Sequence, residues 1–316
     1  MELTPRPYRR LEDLEKMKDL LMRGRAARGH SGYVHVGDLV WWLFFILRDF
    51  NLRDIVRLFE DARGDLIGWV LFSPHLSAFD VFVQPEERGS DREDQMFIWT
   101  EHRMQEIVRE RSGRSLEVGW VFSDDPARMA LLQRRGFVRS NHHTVYRLRS
   151  LTDPLPEPQL PEGFTVRNVA GAHEADARAR VSYDTFHPAG RTAGKTDLTL
   201  MKARAAAYRR LMRAPGYDPA LDLVTVAPDG RFASFAMGWI DPVNKVGEFE
   251  PVGTRPDFQR KGLGRAVLLE GLRRLKAQGA TAAIVYAEGS NPASNGLYGS
   301  VGFRPINDMF TYTKRV

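Results

Sequence analysis

The apolar positions of the C-terminal half follow two periods. "FTVRNVA" (164–170) alternates apolar and polar residues and predicts a strand. "AHEADARARVSYDTF" (172–186) and "LTLMKARAAAYRRLMRA" (198–214) carry helical spacing. "LDLVTVAPDGRFASFAMGWID" (221–241) predicts a hairpin turning at Pro228-Asp229-Gly230. A strand follows at 246–254, "VGEFEPVGT", then a helix over 263–279 stopped by Gly279. The pattern closes with a strand at 281–288, a short helix at 292–301 and a last strand at 308–316. The first half repeats much of this order. Strands and helices joined by a βα crossover predict an α/β sheet layered with helices.

One stretch interrupts the periodicity. "SLTDPLPEPQLPEGF" (150–164) holds Pro154, Pro156, Pro158 and Pro161, which cannot continue a helix and favour an extended, semi-rigid linker. The expected division is therefore a module at 1–150, a linker at 151–163 and a second module at 164–316. The two halves look related. A shift of 166 positions lays "DPARMALLQRRGF" (125–137) on "NPASNGLYGSVGF" (291–303), matching Pro126 with Pro292, Leu131 with Leu297, Gly136 with Gly302 and Phe137 with Phe303. The same shift pairs Tyr146 with Tyr312 and Arg149 with Arg315, which points to an ancient duplication.

Two motifs carry chemistry. "FQRKGLG" (258–264) sits between a strand and a helix, where backbone N–H groups lack intrahelical partners and face the positive end of the helix dipole. Gly262 and Gly264 have no Cβ to keep an anion away, and Arg260, Lys261 and Arg265 add charge. In "NPASNGLYGSVGF", capping accounts for Asn291, Pro292 and Gly302 but not for Tyr298, which is either a core aromatic or a functional residue.

Together, "QxxGxG" on a strand–helix turn and "NxxxxxLYxxxGF" about thirty residues later closely resemble the GNAT superfamily of acetyl-CoA-dependent N-acetyltransferases. The resemblance spans 164–316, and the duplication resembles the tandem architecture of double-module members such as mycothiol synthase. It implies two GNAT-like modules, each a mixed, mostly antiparallel sheet with helices on both faces. It further implies that Gln259, Arg260, Lys261, Gly262, Leu263, Gly264, Arg265 and Ala266 bind the pyrophosphate of acetyl-CoA. The backbone at Val252, Gly253 and Thr254 would hold the pantetheine arm, which Asn291 would face. Tyr298 matches the tyrosine that protonates the departing thiolate.

Direct attack on a thioester needs a neutral amine, hence a base. Glu248 and Glu250, two apart and so on one face of a strand, are both candidates. Glu248 resembles the family's frequent general base, acting directly or through a water, while a strand bulge is expected at Pro251. The acceptor pocket is expected to draw on 172–214, with Tyr183, Asp184, Phe186 and His187, and on Trp239.

The first half tests this reading. Aligning Pro85 with Pro256 lays "RGSDRE" (88–93) over "QRKGLG", so Asp91 and Glu93 replace the two glycines and would repel a pyrophosphate. Leu132 replaces Tyr298. The expectation is a degenerate module that keeps the fold and loses the cofactor.

Composition narrows the remaining choices. The chain of 316 residues has no cysteine, which removes disulfides, thiolate metal sites and cysteine intermediates. Its histidines show no ligand spacing, so no metal is expected. Net charge is +6, the only hint of nucleic-acid binding, and no zinc-finger, helix-turn-helix or RNP signature supports it. The most apolar run, "LVWWLFFIL" (39–47), is too short to span a bilayer, and "MELTPRPYRR" lacks a secretory core. The expected protein is a cytoplasmic monomer or homodimer that acetylates a small-molecule or peptide primary amine, without nucleic-acid or membrane partners. The competing reading is a CoA-binding sensor without turnover.

Overall fold

A computed structural model describes residues 5–29, 32–187 and 198–316. Its elements begin with β1 (Arg6–Pro7), α1 (Leu11–Arg28), α2 (Val36–Trp41), α3 (Leu52–Ile55), β2 (Val56–Glu60), β3 (Leu66–Ser73) and β4 (Ala78–Val83). Next come α4 (Asp91–Glu110), β5 (Ser115–Phe122), α5 (Pro126–Arg134), β6 (Val138–Ser150), β7 (Thr165–Asn168), α6 (Ala175–Phe186) and α7 (Leu198–Leu211). The chain ends with β8 (Asp222–Val226), β9 (Phe232–Asp241), β10 (Val246–Thr254), α8 (Leu263–Ala277), β11 (Ala282–Glu288), α9 (Pro292–Ser300) and β12 (Arg304–Arg315). The segment 188–197 of the expected acceptor wall lies outside the described residues.

The chain forms two compact units whose boundaries differ from the expected ones. Met1–His35, Asp49–Tyr146 and Ile306–Val316 make the first, and Val36–Arg48 with Arg147–Pro305 make the second. Two segments have thus changed places. The apolar run at 39–47 buries Val40, Trp41 and Phe45 in a cluster with Tyr208 and Leu211 of α7 and Met237 and Trp239 of β9. The C-terminal strand, expected in the second module, instead pairs antiparallel with β5 from Met309–Phe122 to Arg315–Ser115. Local periodicity predicts the last strand but does not say which unit it serves, and for the run at 39–47 the sequence showed only an apolar stretch.

The proline-rich stretch also does more than separate. Leu151 donates its N–H to the Thr281 carbonyl at 2.8 Å, and Leu155 and Leu160 pack on the second unit's apolar clusters.

In the second unit the strand order is β11-β10-β9-β8-β7, antiparallel throughout except for β10 and β11. Alternation along the strands gives each face its own cover. Leu223, Phe249 and Val285 pack under Leu268, Leu272 and Leu275 of α8. On the opposite face, Val224 and Phe235 meet Val181 of α6, and Met237 and Trp239 meet α7. Gly247 and Gly271 permit this closeness, since a Cβ at Gly247 would lie 2.5 Å from Leu275 Cδ1 and one at Gly271 2.5 Å from Phe249 Cε1.

The first unit has the order β1-β2-β3-β4-β5-β12, with β4 and β5 parallel through the single pair Ala78–Glu117. Its α5 and the second unit's α9 begin alike, as the repeat predicts. Asp125 accepts from Arg128 N–H at 3.3 Å, and Asn291 from Ser294 N–H at 3.1 Å, each before a proline. The matched Gly136 and Gly302, with φ of 80° and 87°, end those helices.

Candidate active site

The site begins where two parallel strands separate. β10 and β11 pair only through Val246–Ala282, Gly247–Ala283 and Glu248–Ile284. Beyond Glu248, β10 keeps its bonds to β9 through Val252, Gly253 and Thr254, so its other edge has left the ladder with β11. The expected bulge is present, with the register shifting between Phe249 and Val252 around Pro251.

At the end of β10 comes the glycine turn. Gly262 is the N-cap of α8 in the left-handed region, φ 79°, and no side chain caps the helix. Ala266 N–H makes the first turn's bond to the Gly262 carbonyl at 2.9 Å. Nothing lies within 4 Å of the place a Gly262 Cβ would occupy. An uncapped helix start with open space before it and Arg260, Lys261 and Arg265 beside it fits a pyrophosphate. Gly264 has a different task. A Cβ there would lie 2.9 Å from Thr254 Oγ1 and 3.4 Å from Leu297 Cδ2, so its hydrogen lets β10, α8 and α9 converge.

Tyr298 sits on α9 with only 7% of its surface exposed, edge-on to Phe303. Burial pushes its hydroxyl pKa well above the ordinary value, Glu250 pushes it further and Arg147 opposes the rise. It therefore keeps its proton at any physiological pH. Arg147 reaches α9 by donating from Nη2 to Asn295 Oδ1 at 2.9 Å.

The two glutamates differ in surroundings. Glu248 is fully buried, while Glu250 is partly exposed. Burial raises the Glu250 pKa to about 8, with the negative charge of Asp38 adding to the effect. Trp239 Nε1–H donates to the Glu250 carbonyl at 2.7 Å. Asp38, on α2, is 1% exposed and accepts from Tyr286 Oη at 3.3 Å. Helix α2 seats closely because residue 37 is glycine, whose Cβ would crowd Trp239 and lie 2.6 Å from Glu248 Oε2. Asp38, Tyr286, Arg147 and Asn295 were not among the sequence candidates. The only hint of Asp38 was an acid directly ahead of the long apolar run.

The expected acceptor residues are spread unevenly. Tyr183 stacks on His187 at 4.5 Å, and Phe186 is 52% exposed, its ring 6.1 Å from Phe235. Asp184, largely covered, is engaged by Arg180 one turn earlier on α6 at 2.9 Å and by Arg255 just after β10 at 3.3 Å. Trp239, 2% exposed, is a core residue that holds the Glu250 backbone. Asn291 spends its side chain on capping α9.

The first unit's counterpart is arranged differently. Its α4 is capped, Ser90 Oγ accepting from the N–H groups of Arg92 and Glu93. The cap places Ser90 against Gly262, one position away from the alignment that set Asp91 and Glu93 over the glycines. The carboxylate of Glu93 sits in a cluster of donors. It accepts from Gly89 N–H at 2.6 Å, Arg88 Nη1 at 3.2 Å and Arg128 Nη2 at 2.7 Å, and Arg88 also pairs with Asp125. Among the described residues of either unit, no group of three or more His, Cys, Asp or Glu is placed to hold a metal, and no helix is long and apolar enough to cross a membrane.

Comparison with known proteins agrees with this geometry. The acetyltransferase (GNAT) family model matches residues 196–303. A mycothiol acetyltransferase of Thermomonospora curvata is 33% identical over 296 residues, 91% of this chain and 90% of that one. Among solved structures, a tandem GNAT protein from the clavulanic acid biosynthesis pathway superposes with a TM-score of 0.67 at 15% identity, covering 99% of this chain and 98% of its own. A GCN5-related N-acetyltransferase from Sphaerobacter thermophilus gives 0.62 at 17% identity, covering 99% and 96%. A relative one-third identical across nine-tenths of both chains, together with the family match over 196–303, shows that this chain belongs to the GNAT family and is an N-acetyltransferase.

Proposed function

We propose that the second unit moves an acetyl group from acetyl-CoA to a primary amine by direct attack, both reactants being bound at once. The observation that carries this reading is the parting of β10 from β11 after Glu248, with the uncapped Gly262 turn at the end of the free edge. Residues Gln259 to Ala266 hold the pyrophosphate, and the free edge at Val252, Gly253 and Thr254 pairs with the pantetheine arm. Asn291 stands at the start of α9 beside that arm.

Glu250, held near neutrality by burial and Asp38, accepts the proton from the attacking amine. Glu248, behind it against Gly37, acts through a water or fixes the position of the base. Tyr298 gives its proton to the departing sulfur and recovers one from solvent. Tyr183, Phe186 and His187 of α6 border the acceptor, and the relatives' name suggests one related to mycothiol. In the first unit, where Glu93 sits in a cluster of donors, the module acts as scaffold.

Thiol release from acetyl-CoA over a panel of primary amines tests the reading, with no protein cysteine to give background. Tyr298→Phe should lower kcat by about 10- to 100-fold and leave the KM for acetyl-CoA within about twofold. Acetyl-CoA binding without thiol release for any amine would instead indicate a CoA sensor.

A further inference from the structure

On the face of the second unit's sheet that carries Trp239, Glu248 and Glu250, Arg204 has no counter-charge among the described residues. Arg204 of α7 places its guanidinium carbon 5.5 Å from the Phe45 ring centroid and 5.8 Å from that of Tyr183. Trp41 occupies a face of Phe45, stacked at 4.1 Å. Arg48 approaches the same Phe45 ring at 5.7 Å. Two guanidinium groups thus crowd one aromatic ring, an arrangement that costs free energy through like-charge repulsion.

Their other bonds separate the two. Arg48 Nη1 donates to the Phe45 carbonyl at 3.1 Å, and Arg210 caps the same end of the segment by donating to the Phe44 carbonyl at 3.2 Å. Those cations serve the carbonyl end of a helix. Arg204 has no carboxylate within ion-pairing distance among the described residues, and its Nε is buried without a hydrogen bond. Burial, then the charge of Arg48, lowers its pKa. The neighbouring Tyr183 belongs to α6, whose Thr185 methyl would lie 2.5 Å from a Cβ at Gly253 of the free β10 edge.

We propose that Arg204 binds an anionic group, a carboxylate or a phosphate, carried by the amine acceptor. The proposal rests on the acetyl-transfer reading for its ligand but not for its test. A planar fork of donors against two rings suits such an oxyanion. The acceptor is then an amine with a fixed anion at its far end, and Arg204 selects it over the neutral analogue.

The test uses the full chain and two matched pairs: 6-aminohexanoate against hexylamine, and glucosamine 6-phosphate against glucosamine. Calorimetry in the presence of CoA reads binding without turnover, and thiol release reads transfer. The anionic member of at least one pair should bind about tenfold or more tighter, the first pair reporting a carboxylate and the second a phosphate. Arg204→Met should reduce that ratio by about tenfold or more, with Arg204→Lys intermediate, at a melting temperature that confirms folding. Arg204-dependent preference without thiol release would defeat the transfer reading and keep this one. A ratio near one for both pairs, or a preference that survives Arg204→Met, would overturn it.

Discussion

Tyr286 donates a hydrogen bond to Asp38 across 248 positions of sequence, at 3.3 Å, and so anchors a carboxylate from the N-terminal half beside β10 of the second unit. Asp38 raises the proton affinity of Glu250, and Glu250 in turn raises that of Tyr298. The candidate base and acid therefore belong to one electrostatic set, part of which comes from a segment far away in the chain.

Replacing Asp38 with asparagine removes the like charge that helps hold Glu250 near pH 8. The ascending limb of kcat/KM against pH should then move to lower pH by about half a unit or more. A weakly basic amine acceptor keeps the substrate's own ionisation out of the window. An unmoved limb would mean that Glu250 is not the group being titrated.

Glu250 also makes a stability prediction. Its pKa is raised from 4.5 to about 8 on folding, so between those values the folded chain holds a proton that the unfolded chain has lost. Stability therefore falls as pH rises through that window. Glu250→Gln should be more stable than the parent at pH 8.5, by up to about 5 kcal/mol, with the gap closing near pH 4.5. Chemical denaturation at the two pH values measures it, and a gap independent of pH would contradict the assignment.

In the first unit, Glu93 joins Gly89 N–H, Arg88 and Arg128 in a buried network. Glu93→Ala leaves those cations without their carboxylate and should cost about 3–5 kcal/mol in chemical denaturation. A loss below about 1 kcal/mol would show that Glu93 does not hold these cations in place.

Much of the second unit was legible because its signals are local. Glycine at 262 and 264, proline after Asn291 and the alternation of β8 to β11 each act within a few residues. Asp38 was not legible, because nothing near it says which sheet the apolar run at 39–47 will cover. The last strand had the right period but belongs to the other unit, since the register with β5 is a long-range choice. Glu248 and Glu250 read alike in sequence, and only Gly37 and Asp38 packed beside them make their surroundings different.

The most direct measurement is calorimetric titration of the intact chain with acetyl-CoA. The account predicts one site per chain, lost in Gly264→Glu, whose side chain would enter the space between Thr254 and Leu297. Two sites would contradict the proposal that the first unit is a scaffold without a cofactor. No binding would leave the Gly262 turn without a ligand, and the proposed mechanism with it.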